Sequence, residues 1–499
     1  MDLIRLVLAI LPFLLFCILL IFRRSTSLIK ISFVTLVLTT VIAVVFWYCS
    51  FSTVLISTTR GLIIAVDILL IIFGAIFFLE ILRKNKVTES LAVHLDHFSS
   101  DIRVQVILLA WFLENFLEGI AGFGTPSTVV APLLIVLGIS PLKAVIIALL
   151  GNSTSVPFGA VGTPIRIGFA GIDIDLISIA STTALYNFVG LLVPTFMLWV
   201  LVSSKENRFA LFKQALPFAL WSGIAFVVPS YLVSLFGIEF PSILGSIIGV
   251  ILVIITGRLG IFTPKPIYRN AKDIKNSSSP LSLKLSVLPY ALFIFLLILA
   301  KFLLSNSTIS VPWLSYSINL FNPGFVFIVS TLVVAYYSKI HWSQISKVAR
   351  LALNKSIEPF LVIFAMSAVV QLMNNSANIT HQLPSITQTL SMFFRTQFLP
   401  ALAPFIGALG SFITGSATVS NLMFAPSIYS SSLFLGLDPI KILALTVVGA
   451  GAGNMIALAD VLVAKTVAGV TNSLRDIILL LLPYCIIYLV LVALLGYFT

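Results

Sequence analysis

The stretch that decides the fold is residues 112–130, which read FLENFLEGIAGFGTPSTVV. Glu114 and Glu118 lie four residues apart in apolar sequence, so a helix would carry both carboxyl groups on one face. The glycines that follow permit left-handed backbone, and Pro126 suits the first turn of a returning helix. The stretch therefore predicts a helical hairpin over 104–139.

The composition places this hairpin in a membrane. The chain has 499 residues, of which 59% are hydrophobic and 9% charged, and its mean hydropathy is +1.15. Soluble domains carry about 25% charged residues, so the sequence predicts a multi-pass membrane protein. Apolar runs of transmembrane length lie at 4–22, 31–49, 61–82, 176–202, 211–236, 240–257, 285–304, 323–338, 356–373 and 477–498. The first run lacks a cleavage site and is predicted to be retained.

A second region is similar to the first. Residues 138–151 read GISPLKAVIIALLG and residues 436–449 read GLDPIKILALTVVG, so glycine, proline and lysine match along with apolar positions. Chance similarity between two apolar stretches is the alternative. The repeat predicts a second hairpin at 399–435, and a broken helix follows each hairpin, at 142–165 and at 440–470.

These elements predict an all-α polytopic membrane protein with about 12 transmembrane helices and two re-entrant hairpins. Two halves, 1–257 and 285–499, are joined by a linker at 258–284 that is rich in proline and serine. The number of predicted transmembrane spans between the two hairpins makes them open to opposite sides of the membrane. The two repeats are therefore inverted relative to each other. Inverted repeats with broken helices near the bilayer midplane indicate a secondary transporter.

The net charge of +12 reflects topology rather than a nucleic-acid surface. Cytoplasmic loops of membrane proteins are rich in lysine and arginine. The loops predicted to share one side hold 22 Lys and Arg against six on the other, and they are 23–30, 83–103, 140–143, 203–213, 258–284, 339–355 and 471–476. This asymmetry places these loops in the cytoplasm and both termini outside the plasma membrane.

Few ionisable side chains are predicted to lie at depth. An acidic residue in the bilayer costs about 2.5–3.5 kcal/mol, so it is seldom there without a role. Burial favours the neutral carboxyl, which suits Glu118, Asp460 and Glu114 to proton coupling. The alternatives are a structural hydrogen bond for either glutamate, a position of Glu114 near the membrane interface, and an ion pair between Asp460 and Lys465.

Substrate binding is predicted at the hairpin turns and helix breaks, where amides, hydroxyls and unwound carbonyls meet. Close helix packing through small residues is the alternative for the turns, and headgroup anchoring is the alternative for Arg166. The predicted substrate-binding residues are Gly122, Gly124, Thr125, Asn152, Ser153, Thr154, Thr163, Arg166, Gly415, Ser416, Thr418, Ser420, Asn421, Asn454 and Lys465.

Other chemistry is not indicated. GAGAG at 449–453 lacks the strand and spacing of a dinucleotide motif, and no Gly-Lys dipeptide is present for a Walker A loop. The four histidines have no accompanying buried ligand cluster. No cofactor, metal or nucleic-acid partner is therefore predicted, and a homo-oligomer is left open.

Several of these stretches resemble the L-lactate permease family. They are FLEGIAGFGTP (116–126), NSTSVPFGAVGT (152–163), GSFITGSATVSNLMFAP (410–426) and GAGAGNMIALADVLVAKTVAG (449–469). The resemblance implies proton-coupled uptake of lactate, glycolate and similar 2-hydroxymonocarboxylates, and a moving transport domain built from hairpins and broken helices.

The sequence departs from the family pattern at two positions. Ala417 stands where an acidic residue is usual and Asn454 where a lysine is usual. Either an ion pair is relocated among Arg166, Asp460 and Lys465, or the substrate or coupling ion differs.

A proton-coupled symporter for lactate-like anions is therefore the leading hypothesis. Another small organic anion or sodium coupling is the alternative within the transporter class. An anion channel is less favoured, and an enzyme is disfavoured because no set of nucleophile and base is evident.

Overall fold

The fold is known from a computed structural model of the protein, which describes residues 3–22, 27–96, 98–122, 124–268, 281–304, 307–314 and 316–499. The helices of its first half are α1 Leu3–Phe22, α2 Leu28–Phe46, α3 Phe51–Lys84, α4 Val87–Asp96, α5 Ile102–Ile107, α6 Glu114–Ala121, α7 Thr125–Val136, α8 Pro141–Asn152, α9 Gly159–Arg166, α10 Leu176–Tyr186, α11 Val193–Val202, α12 Arg208–Ser234 and α13 Pro241–Arg258.

The second half is also built from helices. They are α14 Leu283–Leu304, α15 Pro323–Tyr337, α16 Trp342–Asn374, α17 Ile386–Ser391, α18 Leu399–Thr414, α19 Ala417–Leu435, α20 Pro439–Asn454, α21 Leu458–Val467 and α22 Leu474–Phe498. One antiparallel strand pair, β1 Thr308–Val311 with β2 Tyr316–Asn319, connects α14 to α15.

The all-α polytopic fold class is confirmed. Within the described ranges, ten helices are long and apolar enough to cross a membrane, or up to twelve if each of two bent helix pairs is one span. The short strand pair was not predicted from the sequence. The linker predicted at 258–284 lies partly outside the described residues.

Buried contacts define the two ends of the molecule. Arg103 forms an ion pair with Asp101 at 2.7 Å and donates hydrogen bonds to the Leu211 and Pro266 carbonyl oxygens. Three of the basic loops, 83–103, 203–213 and the described part of 258–284, therefore lie together at what we call the basic end. The span Leu176–Val202 ends at the basic loop 203–213, so its start lies at the opposite end of the molecule. There Tyr429 donates a hydrogen bond to the Asp173 carbonyl oxygen.

Each hairpin segment forms two helices joined by a glycine turn. In the first, α5, a π-helix at Leu108–Leu113 and α6 lead to the turn, and α7 follows. Lys143, just after α7, donates a hydrogen bond to the Leu201 carbonyl oxygen beside the basic loop 203–213, so α7 returns toward the basic end. In the second, α18 and α19 are joined at Gly415, and α19 returns toward the opposite end. The hairpins thus have opposite orientations.

Both segments that follow the hairpins are interrupted helices. The 142–165 segment forms α8, a 3₁₀ turn at Val156–Phe158 and α9, with a bend of 60°. The 440–470 segment forms α20 and α21, which are separated by residues 455–457. Irregular backbone at membrane depth requires protein cover, and the most apolar windows of Ile102–Ala121 and Pro439–Val467 are 94% and 89% buried.

Close helix contact in the second half depends on glycine. A methyl group added at Gly449 of α20 would overlap the carbonyl oxygen of Pro404 in α18. Because backbone atoms cannot yield, we expect Gly449→Ala to separate the helices at a cost of about 3 kcal/mol or more. Gel filtration in detergent should show loss of most monodisperse protein.

The matched control is Gly436→Asn at the end of α19. Gly436 has a φ of 67° and no neighbour within 4 Å of an added Cβ, and asparagine tolerates this conformation better than other residues. A normal elution profile is expected for this variant. A normal profile for Gly449→Ala would contradict the packing argument.

Candidate functional site

The two hairpin turns and the two helix breaks enclose a cavity of about 30 Å³. This volume holds about two water molecules. The lining residues come from both halves of the chain, and they are Glu118, Gly122, Gly124, Val156, Gly159, Ala160, Thr163, Pro164, Gly415, Ser416, Ala417, Thr418, Asn454 and Asp460. We call this space the central cavity.

Each hairpin contacts the interrupted helix of the other half. A Cβ added at Gly124 would lie 2.5 Å from Oδ1 of Asp460, so the first hairpin turn packs directly on α21. On the second hairpin, Asn421 Nδ2 donates a 3.0 Å hydrogen bond to the Pro164 carbonyl oxygen in α9. The central cavity is therefore built by both repeats together.

The backbone around the first helix break is strained. Ala160, Val161 and Gly162 have φ angles of 42°, 57° and 78°, which form a left-handed turn. This conformation costs about 1–2 kcal/mol for each non-glycine residue, and such strain is concentrated at functional sites. Gly122, with a φ of 59°, packs against Ala160 so closely that an added Cβ would lie 3.0 Å from the Ala160 Cβ.

Two carboxyl groups face the central cavity, and both are buried. Glu118 is 4% exposed and Asp460 is 8% exposed. The Asn152 side chain lies within hydrogen-bond reach of the Glu118 carboxyl, and the Asn454 side chain within reach of the Asp460 carboxyl. Among the described residues, nothing hydrogen-bonds Glu118 Oε2 or Asp460 Oδ2. The carboxyls are near enough to repel each other when both are ionised.

The second hairpin offers hydrogen-bond donors to the same space. Ser416 caps α19 by accepting a hydrogen bond from the Val419 amide, which leaves the Ala417 and Thr418 amides without intrahelical acceptors. The buried Thr418 hydroxyl has no hydrogen bond within the described ranges. A helix N-terminus with free amides suits an anion, and no described Lys or Arg lines the central cavity.

Nine of the predicted site residues line the central cavity. Most of the others form hydrogen bonds within the protein. Glu114 Oε1 accepts a 2.9 Å hydrogen bond from Ser127 and lies behind the cavity wall. The Ser153 and Ser420 hydroxyls donate to backbone carbonyl oxygens. Thr154 is buried nearby without lining the cavity. The Thr125 side chain lies outside the described part of the chain.

The two basic candidates lie away from the cavity. Arg166 forms a 3.5 Å ion pair with Asp67 of α3 and donates a 2.6 Å hydrogen bond to the Phe321 carbonyl oxygen. Lys465 is five residues beyond Asp460 on α21, which separates their directions by about 140°. The relocated ion pair among Arg166, Asp460 and Lys465 is therefore not formed.

Sequence reasoning missed five lining residues, which are Val156, Gly159, Ala160, Pro164 and Ala417. Gly159 lies against Glu118 so closely that an added Cβ would overlap Oε1. The stretch FGAVGTP at 158–164 carried a signal, because its glycines flank a helix break. Ala417 and Asn454, the two departures from the family pattern, both line the cavity.

In the described ranges, no group of three or more His, Cys, Asp or Glu residues could hold a metal ion. The features that remain are two hairpins of opposite orientation, two interrupted helices and a buried polar cavity between them. This architecture defines a multi-pass membrane protein whose paired hairpins and interrupted helices are typical of transporters.

The chain belongs to the L-lactate permease family. The model of that family matches residues 5–317 and 303–499, so the match spans the chain and confirms the resemblance noted from the motifs. The L-lactate permease of Streptococcus iniae is 28% identical over 364 residues, with 68% of this chain and 72% of that protein covered. The L-lactate permease of Bacillus subtilis (strain 168) is 26% identical over 520 residues, with 93% and 90% covered.

A solved structure is more distantly similar. The crystal structure of the YdaH transporter of Alcanivorax borkumensis aligns with a TM-score of 0.44 and 13% sequence identity. The alignment covers 86% of this chain and 84% of that one. A likeness at this level does not define the fold of the present chain.

Proposed function

We propose that this protein takes up lactate and similar 2-hydroxymonocarboxylates, including glycolate, by proton symport. The observation that carries the proposal is the pairing of Glu118 and Asp460 with the donor groups of Thr418 and its helix N-terminus in one buried cavity. Membership in the L-lactate permease family supports the substrate class.

The chemistry of the cavity supports coupling to protons. A monocarboxylate bound at the start of α19 would lie near the two cavity carboxyl groups. Two unit charges 4 Å apart repel by about 4 kcal/mol at the effective dielectric constant typical of proteins. Because no basic side chain among the described lining residues offsets this repulsion, binding of a proton at this pair of carboxyl groups favours binding of the anion.

The membrane potential gives the same coupling a thermodynamic advantage. An anion that enters a negative-inside cell works against about 2.3 kcal/mol per 100 mV. One proton carried with each anion makes the step electroneutral, so uptake then depends on the pH gradient and the substrate gradient.

The size and symmetry of the site support alternating access. The cavity of about 30 Å³ is too small for lactate, which has six non-hydrogen atoms. Substrate entry therefore requires a hairpin turn to move away from the interrupted helix that it contacts. Oppositely oriented hairpins allow one to open toward each side of the membrane.

The orientation in the plasma membrane follows the charge distribution. We assign the basic end to the cytoplasm, because its loops carry most of the lysine and arginine residues. Under this assignment both termini are extracellular, the first hairpin opens to the cytoplasm and the second opens to the outside.

Labelled lactate uptake into proteoliposomes under an imposed pH gradient tests the proposal. Uptake should accumulate lactate when the lumen is alkaline, and it should saturate and support counterflow. Uptake driven only by a sodium gradient would refute proton coupling. Single-channel currents without counterflow would favour an anion channel instead.

A second candidate function is transport of a different small monocarboxylate. Ala417 and Asn454 differ from the family pattern and both line the cavity, so they are placed to alter selectivity. Competition against labelled lactate by a panel of 2-hydroxy, 2-keto and unsubstituted monocarboxylates decides between the two. The proposal predicts that lactate and glycolate compete best.

A further inference from the structure

A second and larger cavity lies beside the central cavity. Its volume is about 280 Å³, and it lies between α3 and α16 on one side and the first hairpin and α21 on the other. We call it the inner vestibule, because Glu80 and Arg83 of its lining lie in the last turns of α3, which ends at the basic loop 83–103. Its lining includes Glu80, Arg83, Thr88, Gly124, Lys355 and Val463.

The inner vestibule and the central cavity share one residue. Gly124 lines both spaces, and its backbone packs against the Asp460 carboxyl. Leu117 lines the vestibule and precedes Glu118, which lines the cavity. The wall between the two spaces is therefore the turn of the first hairpin, and movement of that turn would join them.

The charges of the inner vestibule favour an anion. Lys355 forms a 2.6 Å ion pair with Glu80. The Arg83 side chain is exposed and forms no hydrogen bond or ion pair with any described residue. One positive charge of the vestibule is thus uncompensated, and much of the remaining lining is aliphatic, including Ile72 and Ile76.

We propose that the inner vestibule is a second binding site for the transported monocarboxylate on its cytoplasmic path. Arg83 binds the carboxylate, and the aliphatic wall contacts the short hydrocarbon part. The site receives substrate when the turn of the first hairpin opens. This inference rests on the proposed function for the identity of its ligand, and its volume accommodates a molecule that the central cavity does not.

The first test compares lactate KM at the two membrane faces. Uptake into inside-out and right-side-out membrane vesicles presents substrate to the cytoplasmic and outer faces respectively. Arg83→Gln should raise the cytoplasmic KM by about three- to fivefold, the effect of losing one exposed charge interaction. The outer KM should not change, and the cytoplasmic effect should shrink at high ionic strength.

Lys84→Gln is the matched control, because Lys84 is exposed at the end of the same helix and does not line the vestibule. It should leave both KM values unchanged. Lys355→Gln should raise the cytoplasmic KM more than Arg83→Gln, since it also frees the Glu80 carboxylate to repel the anion. The double variant Glu80→Gln with Lys355→Gln should recover part of this loss.

Thiol protection measures occupancy without transport. Val129 lines the vestibule, and lactate should slow modification of Val129→Cys by a methanethiosulfonate reagent, relative to the background of the parent protein. Added Arg83→Gln should remove this protection. Protection without lactate transport would refute the proposed function but support the vestibule as a binding site. Lactate transport without protection would show that the vestibule does not bind the substrate.

An anionic lipid headgroup shares the chemistry of the carboxylate ligand. The measurements are therefore repeated in reconstituted vesicles with and without anionic lipid. An Arg83→Gln effect that is independent of lipid charge supports the substrate site. An effect confined to anionic lipid, or an effect at the outer face, would overturn the proposal.

Discussion

Replacement of Glu118 with glutamine is expected to abolish lactate uptake driven by a pH gradient while lactate counterflow continues. Glutamine keeps the shape and hydrogen-bonding capacity of the neutral carboxyl, so the cavity stays competent for the anion. It can neither bind nor release a proton, so the variant carries the anion without its coupled proton. Accumulation of lactate above its external concentration, which the pH gradient drives in the parent protein, should therefore be lost in proteoliposomes.

The conservative variant and a second carboxyl sharpen this prediction. Glu118→Asp retains a titratable group and should recover part of the driven uptake. Glu114→Gln, measured in parallel, tests whether coupling extends to the carboxyl that hydrogen-bonds Ser127 behind the cavity wall. Undiminished driven uptake by Glu118→Gln would remove Glu118 from the coupling mechanism. Loss of both driven uptake and counterflow, with normal elution on gel filtration, would show that the side chain is needed for substrate binding.

Thr418→Val is expected to raise the KM for lactate by about 10- to 100-fold. The variant is nearly isosteric and removes a buried hydroxyl that has no hydrogen bond to any described residue. A hydrogen bond from this hydroxyl to a substrate carboxylate is worth about 1.5–3 kcal/mol, which corresponds to that loss of affinity. Uptake measured over a range of lactate concentrations provides the KM.

The matched control for this variant is Thr446→Val. Thr446 is fully buried in α20 and its hydroxyl donates to the Ile442 carbonyl oxygen, so it offers nothing to the central cavity. The KM of Thr446→Val for lactate should equal that of the parent protein. Thr418→Ser, which restores the hydroxyl, should recover most of the affinity. An unchanged KM in Thr418→Val would show that the anion binds elsewhere.

Sequence reasoning located polar residues well where an apolar background makes them conspicuous. Glu118, Asp460 and Asn454 stand out in this way, and all three line the cavity. Their convergence also follows from the repeat, because similar segments of opposite orientation adopt related positions. The roles of these residues in transport stay predictions, which the variants above test.

Other features could not be predicted from the sequence, for physical reasons. Ala160 and Val161 adopt left-handed backbone although neither residue favours it, so the turn is imposed by surrounding contacts rather than by local preference. The partner of Arg166 is Asp67, which is distant in the chain. Lys465 lies outside the cavity because its side chain and that of Asp460 leave α21 in different directions, although both residues belong to the same helix.

The sequence by itself determined the membrane class, the two hairpins with their interrupted helices and the family, because hydropathy, glycine turns and repeated motifs are local properties. Only the tertiary structure decided which polar groups share a cavity, since that depends on how helices distant in the chain pack together. The same packing separates the central cavity from the inner vestibule at Gly124, where one glycine turn meets the Asp460 carboxyl.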